Sequence, residues 1–332
     1  MILLTGATGY IGSHIWVELL NEHYSVIGID NLSNSSIDVL GQINAITGLN
    51  PAFIEGDIKD RVLLKDIFSN YPISHVIHLA ALKSPLESMT HQEKYFDCNV
   101  HGLKTVLEAM SDADCKKLIF SSSAAVYGDL AISPISESTN LCPTNYYGET
   151  KKIAEELIRS KQKEYLLFRS ATLRYFNVAG NHQSRLLKVA TPNESHSLFS
   201  EIEAVIKGSK KILEIFGDDW DTLDGTCIRD YLDISDLTRA HIAVIKRLDT
   251  VDESFTVNLG SGVGYSVKDV INSYNNVGGI NLPTRVVCKR IGDVATSYAN
   301  INKAKELIHW LPQKSLSKMC LDSLAICNAI RL

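Results

Sequence analysis

The chain reads as an α/β protein built on a doubly wound parallel sheet with a smaller C-terminal domain, and three observations carry that reading. Short apolar runs alternate with amphipathic, helix-length segments through the first half, the pattern of parallel strands joined by crossover helices. A glycine-rich loop, Gly6, Gly9 and Gly12, follows the first apolar run and opens the first helix. Between Lys117 and Lys151, an apolar run closes on Ser121, Ser122 and Ser123, and a helical segment then sets Tyr147 and Lys151 four residues apart on one face.

Met1 to Leu4 is the first strand, and Ser13 to Asn21 the periodic helix behind the loop. The three glycines let the backbone turn tightly and approach a pyrophosphate, to which the helix N-terminus offers N–H groups and its positive dipole end. Ser25 to Ile29 is a second strand ending at Asp30, about 20 residues past the loop, where a Rossmann dinucleotide fold places its acceptor for ribose hydroxyls. An acid there repels a ribose 2′-phosphate, which favours NAD over NADP. Ala52 to Ile58 adds a strand ending in Asp57, with Ile58 beside it to flank an adenine, and Arg61 to Asn70 a helix. His75 to Ala81 is a fourth strand whose exit, Leu79-Ala80-Ala81, lets a cofactor lie close; His78, among apolar neighbours, reads as a core histidine. A helix from Gln92 to Met110 carries Asn99, and Leu166 to Arg174 is the strand that ends in Tyr175-Phe176-Asn177.

The strand at Leu118 ends in hydroxyls, the position of chemistry in an open parallel sheet. A phenol beside an ammonium is expected to have a depressed pKa, so Tyr147 with Lys151 is a pair that exchanges protons near neutral pH, and Ser123 supplies a second hydroxyl. Beyond Asn177 the pattern loosens: residues 178 to 198 are loop-like, Leu198 to Lys207 is helical, and helix Ile234 to Arg247 with strand Phe255 to Leu259 returns toward the main sheet. This gives residues 1–176 as a nucleotide-binding domain, joined by segments near 228–260, and 177–332 mainly as a second domain.

At 332 residues, 45% apolar and 21% charged, the composition is that of a globular protein with a large core. A net charge of −5 without any basic block argues against nucleic-acid or anionic-membrane partners. Seven scattered cysteines, none in a Cys-x-x-Cys pair, give no metal-ligand set and no disulfide frame, and fit reduced thiols. With no charged leader and no apolar span near 20 residues, the expectation is a cytoplasmic protein.

The chain resembles the extended short-chain dehydrogenase/reductase superfamily and, within it, the UDP-glucose (galactose) 4-epimerase family. The resemblance rests on Thr5-Gly-Ala-Thr-Gly-Tyr-Ile-Gly-Ser-His14, Asp30-Asn31-Leu32-Ser33-Asn34, Glu55 to Ile58, Ile119 to Gly128, Tyr147-x-x-x-Lys151, Leu173 to Asn177, Asp224-Gly225-Thr226, Arg229-Asp230-Tyr231 and Asn258 to Gly264. It implies NAD held by Gly6, Gly9, Tyr10, Ile11, Gly12, Asp30, Asn31, Asp57, Ile58, Leu79, Ala80, Ala81, Lys83, Asn99, Ser121, Tyr147, Lys151 and Phe176. It also implies a UDP-sugar held by Lys83, Ser123, Tyr147, Asn177, Ser197, Leu198, Arg229, Arg290, Asp293 and Ser297, and catalysis by Ser123, Tyr147 and Lys151. The implied reaction is reversible oxidation at C4: Tyr147 takes the hydroxyl proton, hydride passes to NAD, and the 4-keto sugar turns and is reduced on its other face.

Two other readings are open. A 4,6-dehydratase or decarboxylase of the same fold carries acids just after the strand hydroxyl, where this chain has Ala124-Ala125; a non-catalytic NAD-binding sensor commonly loses the Tyr/Lys pair, which is present. The chain departs from the family between Ser184 and Leu198, and carries Cys98 where an Asn often precedes Asn99. Ser297 stands where narrow-specificity members have a bulky Tyr, which implies room for a 2-acetamido group unless Tyr298 refills the space. The resemblance further implies a homodimer paired through the helices from Gln92 and Tyr147.

Overall fold

The computed structural model describes residues 1–129, 131–187, 197–290 and 292–329. In chain order its first elements are β1 (Ile2–Thr5), α1 (Tyr10–Asn21), β2 (Val26–Asp30), α2 (Asp38–Thr47), β3 (Ala52–Glu55), α3 (Arg61–Asn70) and β4 (His75–His78). Then come α4 (Pro85–Thr90), α5 (Gln92–Phe96), a π-turn (Asp97–His101), α6 (Gly102–Asp112), β5 (Lys117–Ser123), α7 (Tyr146–Glu164), β6 (Arg169–Tyr175) and β7 (Asn177–Ala179). The remainder is α8 (Leu198–Lys207), β8 (Leu213–Phe216), β9 (Ile228–Arg229), β10 (Tyr231–Asp233), α9 (Ile234–Thr250), β11 (Phe255–Leu259), β12 (Tyr265–Ser266), α10 (Val267–Gly278), β13 (Thr284–Val287), β14 (Thr296–Ser297), α11 (Asn302–Ile308) and α12 (Leu316–Ala329).

Seven strands form one parallel sheet in the order β11-β6-β5-β4-β1-β2-β3. The order reverses between β1 and β4, and the crevice at such a switch point, outside the carboxyl ends of the strands, is where a doubly wound sheet binds its ligand. The strands read as near-continuous apolar runs because both faces are covered. Trp16, Val17, Ile242 and Ile245 belong to the cluster on one side, and Leu64, Leu103, Met110 and Ile158 to the cluster on the other. The return of the chain to the sheet is made by β11, which pairs with β6 along Phe255 to Leu259.

The remaining strands form sheets of two or three: β10 with β7, β13 with β8, and β12-β9-β14. With α8, α10 and α12 they enclose a separate apolar cluster that includes Phe199, Ile202, Tyr274 and Met319. No helix among the described residues is long and apolar enough to cross a membrane.

Several boundaries differ from the sequence expectation. Helix α2 was not expected; it buries only Val39 and Ile43, too thin a stripe to stand out. The helix from Gln92 runs to Asp112 and changes to π geometry at Asp97–His101, around Asn99. Strand β6 begins at Arg169 rather than Leu166, because Leu166 and Leu167 lie exposed in the turn after α7. Of the divergent loop from Ser184 to Leu198, residues 188–196 lie outside the described residues.

Candidate active site

The glycine loop packs so closely that side chains are excluded at two of its positions. Gly6 has a φ of +68°, and a Cβ there would stand 2.7 Å from the Ala80 nitrogen; a Cβ on Gly12 would stand 2.1 Å from the Gly6 carbonyl oxygen. Gly9 differs, since a Cβ there would approach only the Gly6 oxygen, at 3.3 Å. It stands at the start of α1, where no side chain caps the helix and the first N–H groups of Tyr10, Ile11 and Gly12 have no intrahelical acceptor. The Tyr10 phenol is turned away and donates to the Gly180 carbonyl at 2.6 Å.

Asp30 leans onto this loop. Its carboxylate accepts from the Thr8 N–H at 3.2 Å, the Leu32 N–H at 3.0 Å and the Ser35 hydroxyl at 3.2 Å. The Asn31 amide donates to Asp57 at 3.1 Å, which aligns the exits of β2 and β3, and Ile58 is buried against Gly102. Across the switch point, the Thr5 hydroxyl accepts from the N–H groups of Leu79 and Ala80 and meets His78 Nδ1 at 3.0 Å. His78 is a buried histidine stacked on Phe120, with its pKa pushed down to about 3 by burial. An open backbone cradle at a helix N-terminus with a carboxylate beside it fits a dinucleotide.

Ser121, Ser122 and Ser123 close β5, and α7 begins over them, capped by Asn145, whose side chain accepts from the Gly148 N–H at 2.9 Å. Gly148 permits the approach, because a Cβ there would stand 2.5 Å from the Ala125 oxygen. Lys151 is 3% exposed; its Nζ donates to the Ser121 carbonyl at 2.7 Å and sits 5.0 Å from the centre of the Phe120 ring. Burial pushes the Lys151 pKa down to about 8, against the raising influence of Cys98 and Glu155.

Tyr147 corrects the sequence expectation. Burial raises its pKa, and the Ser123 hydroxyl opposes that only in part. Lys151 lies 6.0 Å from the phenol ring centre with its ammonium committed to Ser121, so the pair alone does not acidify the phenol. Asn99 is buried and clamps the exit of β4 to α7: it accepts from the Leu82 N–H at 2.8 Å and donates to the Leu82 carbonyl and the Thr150 hydroxyl, both at 3.0 Å. Phe176 is buried at the end of β6, where its N–H donates to the Leu259 carbonyl at 3.0 Å, and Lys83 is exposed on the loop after β4.

On the far side of the strand ends, Arg229 pairs with Asp293 at 3.6 Å, and the Arg290 guanidinium lies 3.7 Å over the Phe216 ring. Asn177 on β7 is the register partner of Tyr231 and exposed. Ser197 uses its hydroxyl to cap α8, accepting from the Ser200 N–H at 3.2 Å, and Leu198 opens that helix. Ser297 pairs with Arg229 between β14 and β9. Tyr298, just past the end of β14, packs its ring against Gly264.

Two residues escaped the sequence reading as site builders. Phe216, an aromatic ending β8 before a turn at Gly217, is the platform for Arg290. Asp230 is fully buried and accepts from the Ser261 N–H and hydroxyl, the Gly262 N–H and the Ala299 N–H. Burial raises its pKa while those bonds lower it.

A seven-stranded parallel sheet with a glycine cradle at its switch point and Ser, Tyr and Lys at the ends of β5 and α7 defines an extended short-chain dehydrogenase/reductase. Residues 2–260 match the NAD dependent epimerase/dehydratase family. The chain is 39% identical over 322 residues to the UDP-glucose 4-epimerase of Bacillus subtilis (strain 168), covering 97% of this chain and 95% of that protein. The structure of the UDP-glucose 4-epimerase from Stenotrophomonas maltophila with bound NAD and formylated UDP-arabinopyranose superposes with a TM-score of 0.96 at 37% identity, covering 99% of this chain and 98% of that one. The enzyme from Bifidobacterium longum in complex with NAD+ and UDP gives 0.93 at 37% identity, with the same coverage. The chain belongs to the UDP-glucose 4-epimerase family.

Proposed function

We propose that this chain is a NAD-dependent 4-epimerase of UDP-hexoses, interconverting UDP-glucose and UDP-galactose through a transient 4-keto sugar. The observation that carries the reading is the convergence of Ser123, Tyr147 and Lys151 beside the switch-point cradle. NAD, when bound, supplies the reversible oxidation at sugar C4 and a fixed positive charge. Tyr147 Oη exchanges the C4 hydroxyl proton and Ser123 Oγ hydrogen-bonds the same oxygen, while the Lys151 ammonium, which alone does not acidify the phenol, adds to the cofactor's charge in favouring the phenolate.

In this reading the N–H groups of Tyr10, Ile11 and Gly12 take the pyrophosphate beside Gly6 and Gly9, Asp30 and Asn31 a ribose, and Asp57 and Ile58 the adenine. Leu79 to Ala81, Lys83, Asn99, Ser121 and Phe176 complete the cofactor site. Arg229, Arg290 and Asp293 bind the uridine diphosphate, with Asn177, Ser197 and Leu198 around it. A dehydratase or decarboxylase is disfavoured because the residues after Ser123 are Ala124 and Ala125, in a short 3-10 turn that offers no acid. The division of the chain near residue 176, a cytoplasmic location and a dimer paired through the helices from Gln92 and Tyr146 belong to the same proposal; a monomer on a sizing column removes the last.

The purified protein, incubated with UDP-glucose without added NAD, should yield UDP-galactose by anion exchange or NMR. No conversion by protein that holds NAD would overturn the reading. The small Ser297, with Tyr298 packed against Gly264, favours a wider range that includes UDP-GlcNAc and UDP-GalNAc. Ser297→Tyr should then lower turnover of the N-acetylated pair while UDP-glucose turnover stays within about twofold; equal effects on both would count against it.

A further inference from the structure

Directly behind the catalytic corner lies a buried polar set that the proposed chemistry does not use. Glu155, one turn after Lys151, is 2% exposed, and Arg174 on β6 is 3% exposed. Glu155 Oε1 accepts from the Ser122 hydroxyl at 2.6 Å and from Arg174 Nε at 3.0 Å, and Oε2 accepts from Arg174 Nη2 at 2.7 Å. Arg174 Nη1 donates to the Tyr127 hydroxyl at 2.9 Å, and that hydroxyl donates to Asn258 at 2.6 Å. Arg174 and Ser122 are themselves register partners in the sheet.

Three successive residues of β5 therefore engage three successive turns of one helix. Ser123 acts on Tyr147, the Ser121 carbonyl holds Lys151, and the Ser122 hydroxyl holds Glu155. Apolar packing does little to fix the phase of this helix: its buried residues are Gly148, Thr150, Lys151, Ala154, Glu155 and Ile158. A slip of one residue would move each side chain by about 1.5 Å along the axis and about 100° around it, and the Glu155 lock opposes it.

We propose that Glu155, gripped by Arg174 and Ser122 with Arg159 3.7 Å away, is a positioning residue of the active site: it sets the rotation of α7 that aims Tyr147 and Lys151. The groups facing Lys151 are Tyr147 and Glu155 on its own helix, Cys98 in the π-turn, His78 on β4, and Phe120 with the Ser121 carbonyl on β5. The inference rests on the epimerase reading. A purely structural ion pair predicts a loss of thermal stability alone.

The test is Glu155→Gln in the protein with its resident cofactor, followed by kcat and KM for UDP-glucose across pH, NAD content and Tm. The expected result is a kcat lower by about 10- to 100-fold, with KM and NAD content within about twofold. A folded variant with parental kcat overturns the proposal whatever its Tm. Should Arg174, left without its partner, prevent folding, Glu155→Gln/Arg174→Met removes both charges together and is judged by the same readings. Parent protein that turns over no UDP-glucose would instead refute the epimerase reading itself.

Discussion

The two halves of this site are positioned by different physics. Around the cofactor cradle, Gly6, Asp30, Leu79, Ser123 and Phe176 lie at the ends of β1, β2, β4, β5 and β6, and sheet register places them. Around the proposed uridine site, the strands β9, β12 and β14 have two residues each, too few for a ladder to fix anything alone. There one buried carboxylate, Asp230, gathers the segments at 261–262 and 299 around Arg229. Chemistry rests on an extended sheet, and recognition on a hub.

The largest expected effect lies on the sheet side. Tyr147→Phe should lower kcat by about 10²- to 10⁴-fold while NAD remains bound and Tm barely moves. Single-turnover kinetics with cofactor absorbance check it, and a turnover close to that of the parent would remove Tyr147 from its role.

Acid should distinguish the halves next. His14, His78 and His241 are buried on the sheet side, with pKa values pushed down to about 4, about 3 and about 4 from 6.5. The unfolded chain then binds protons first, so stability present above pH 6.5 is lost as pH falls from 6.5 toward 4, by on the order of 1 kcal/mol per histidine near pH 5.5. Asp230 has the opposite sign: its pKa is raised on folding, so acid adds to its contribution. Denaturant titrations across pH, read with NAD release, should show the cofactor half failing first; a flat profile between pH about 7 and 5 would contradict this.

The contrast also explains what the sequence disclosed. Strands and helices of the sheet follow from apolar runs and period, and Gly6, Gly12, Asp30, Tyr147 and Lys151 announce themselves by spacing. The Tyr147 pKa did not, because spacing shows the ammonium four residues away but shows neither the burial nor the Ser121 carbonyl that engages it. Asp230 stood in view within Arg229-Asp230-Tyr231, yet its partners come from about 30 and 70 residues further along. Helix α2 was hidden by a core face of two residues.

Asp230→Asn should break the hub without touching the chemistry. An amide in place of the carboxylate presents its own N–H groups to some of the four donors, at a cost of about 1–3 kcal/mol. KM for UDP-glucose should rise by about tenfold, with kcat at saturation within about threefold and NAD content unchanged. A fall in kcat equal to the fall in kcat/KM would show that the two halves are mechanically one.

Arg290→Ala sharpens the recognition side further. The guanidinium carbon lies 3.7 Å over the Phe216 ring, a contact that holds the fork in place before any ligand arrives. Its removal should cost about 1–2 kcal/mol of UDP-sugar binding, seen as a KM rise of about 5- to 30-fold with kcat nearly constant. Arg290→Lys separates orientation from charge, since an ammonium keeps the charge but lacks the planar fork. If that variant restores the parent KM, charge alone serves at this position and the Phe216 platform is incidental; if KM stays near that of Arg290→Ala, the stacked geometry itself is what recognises the diphosphate.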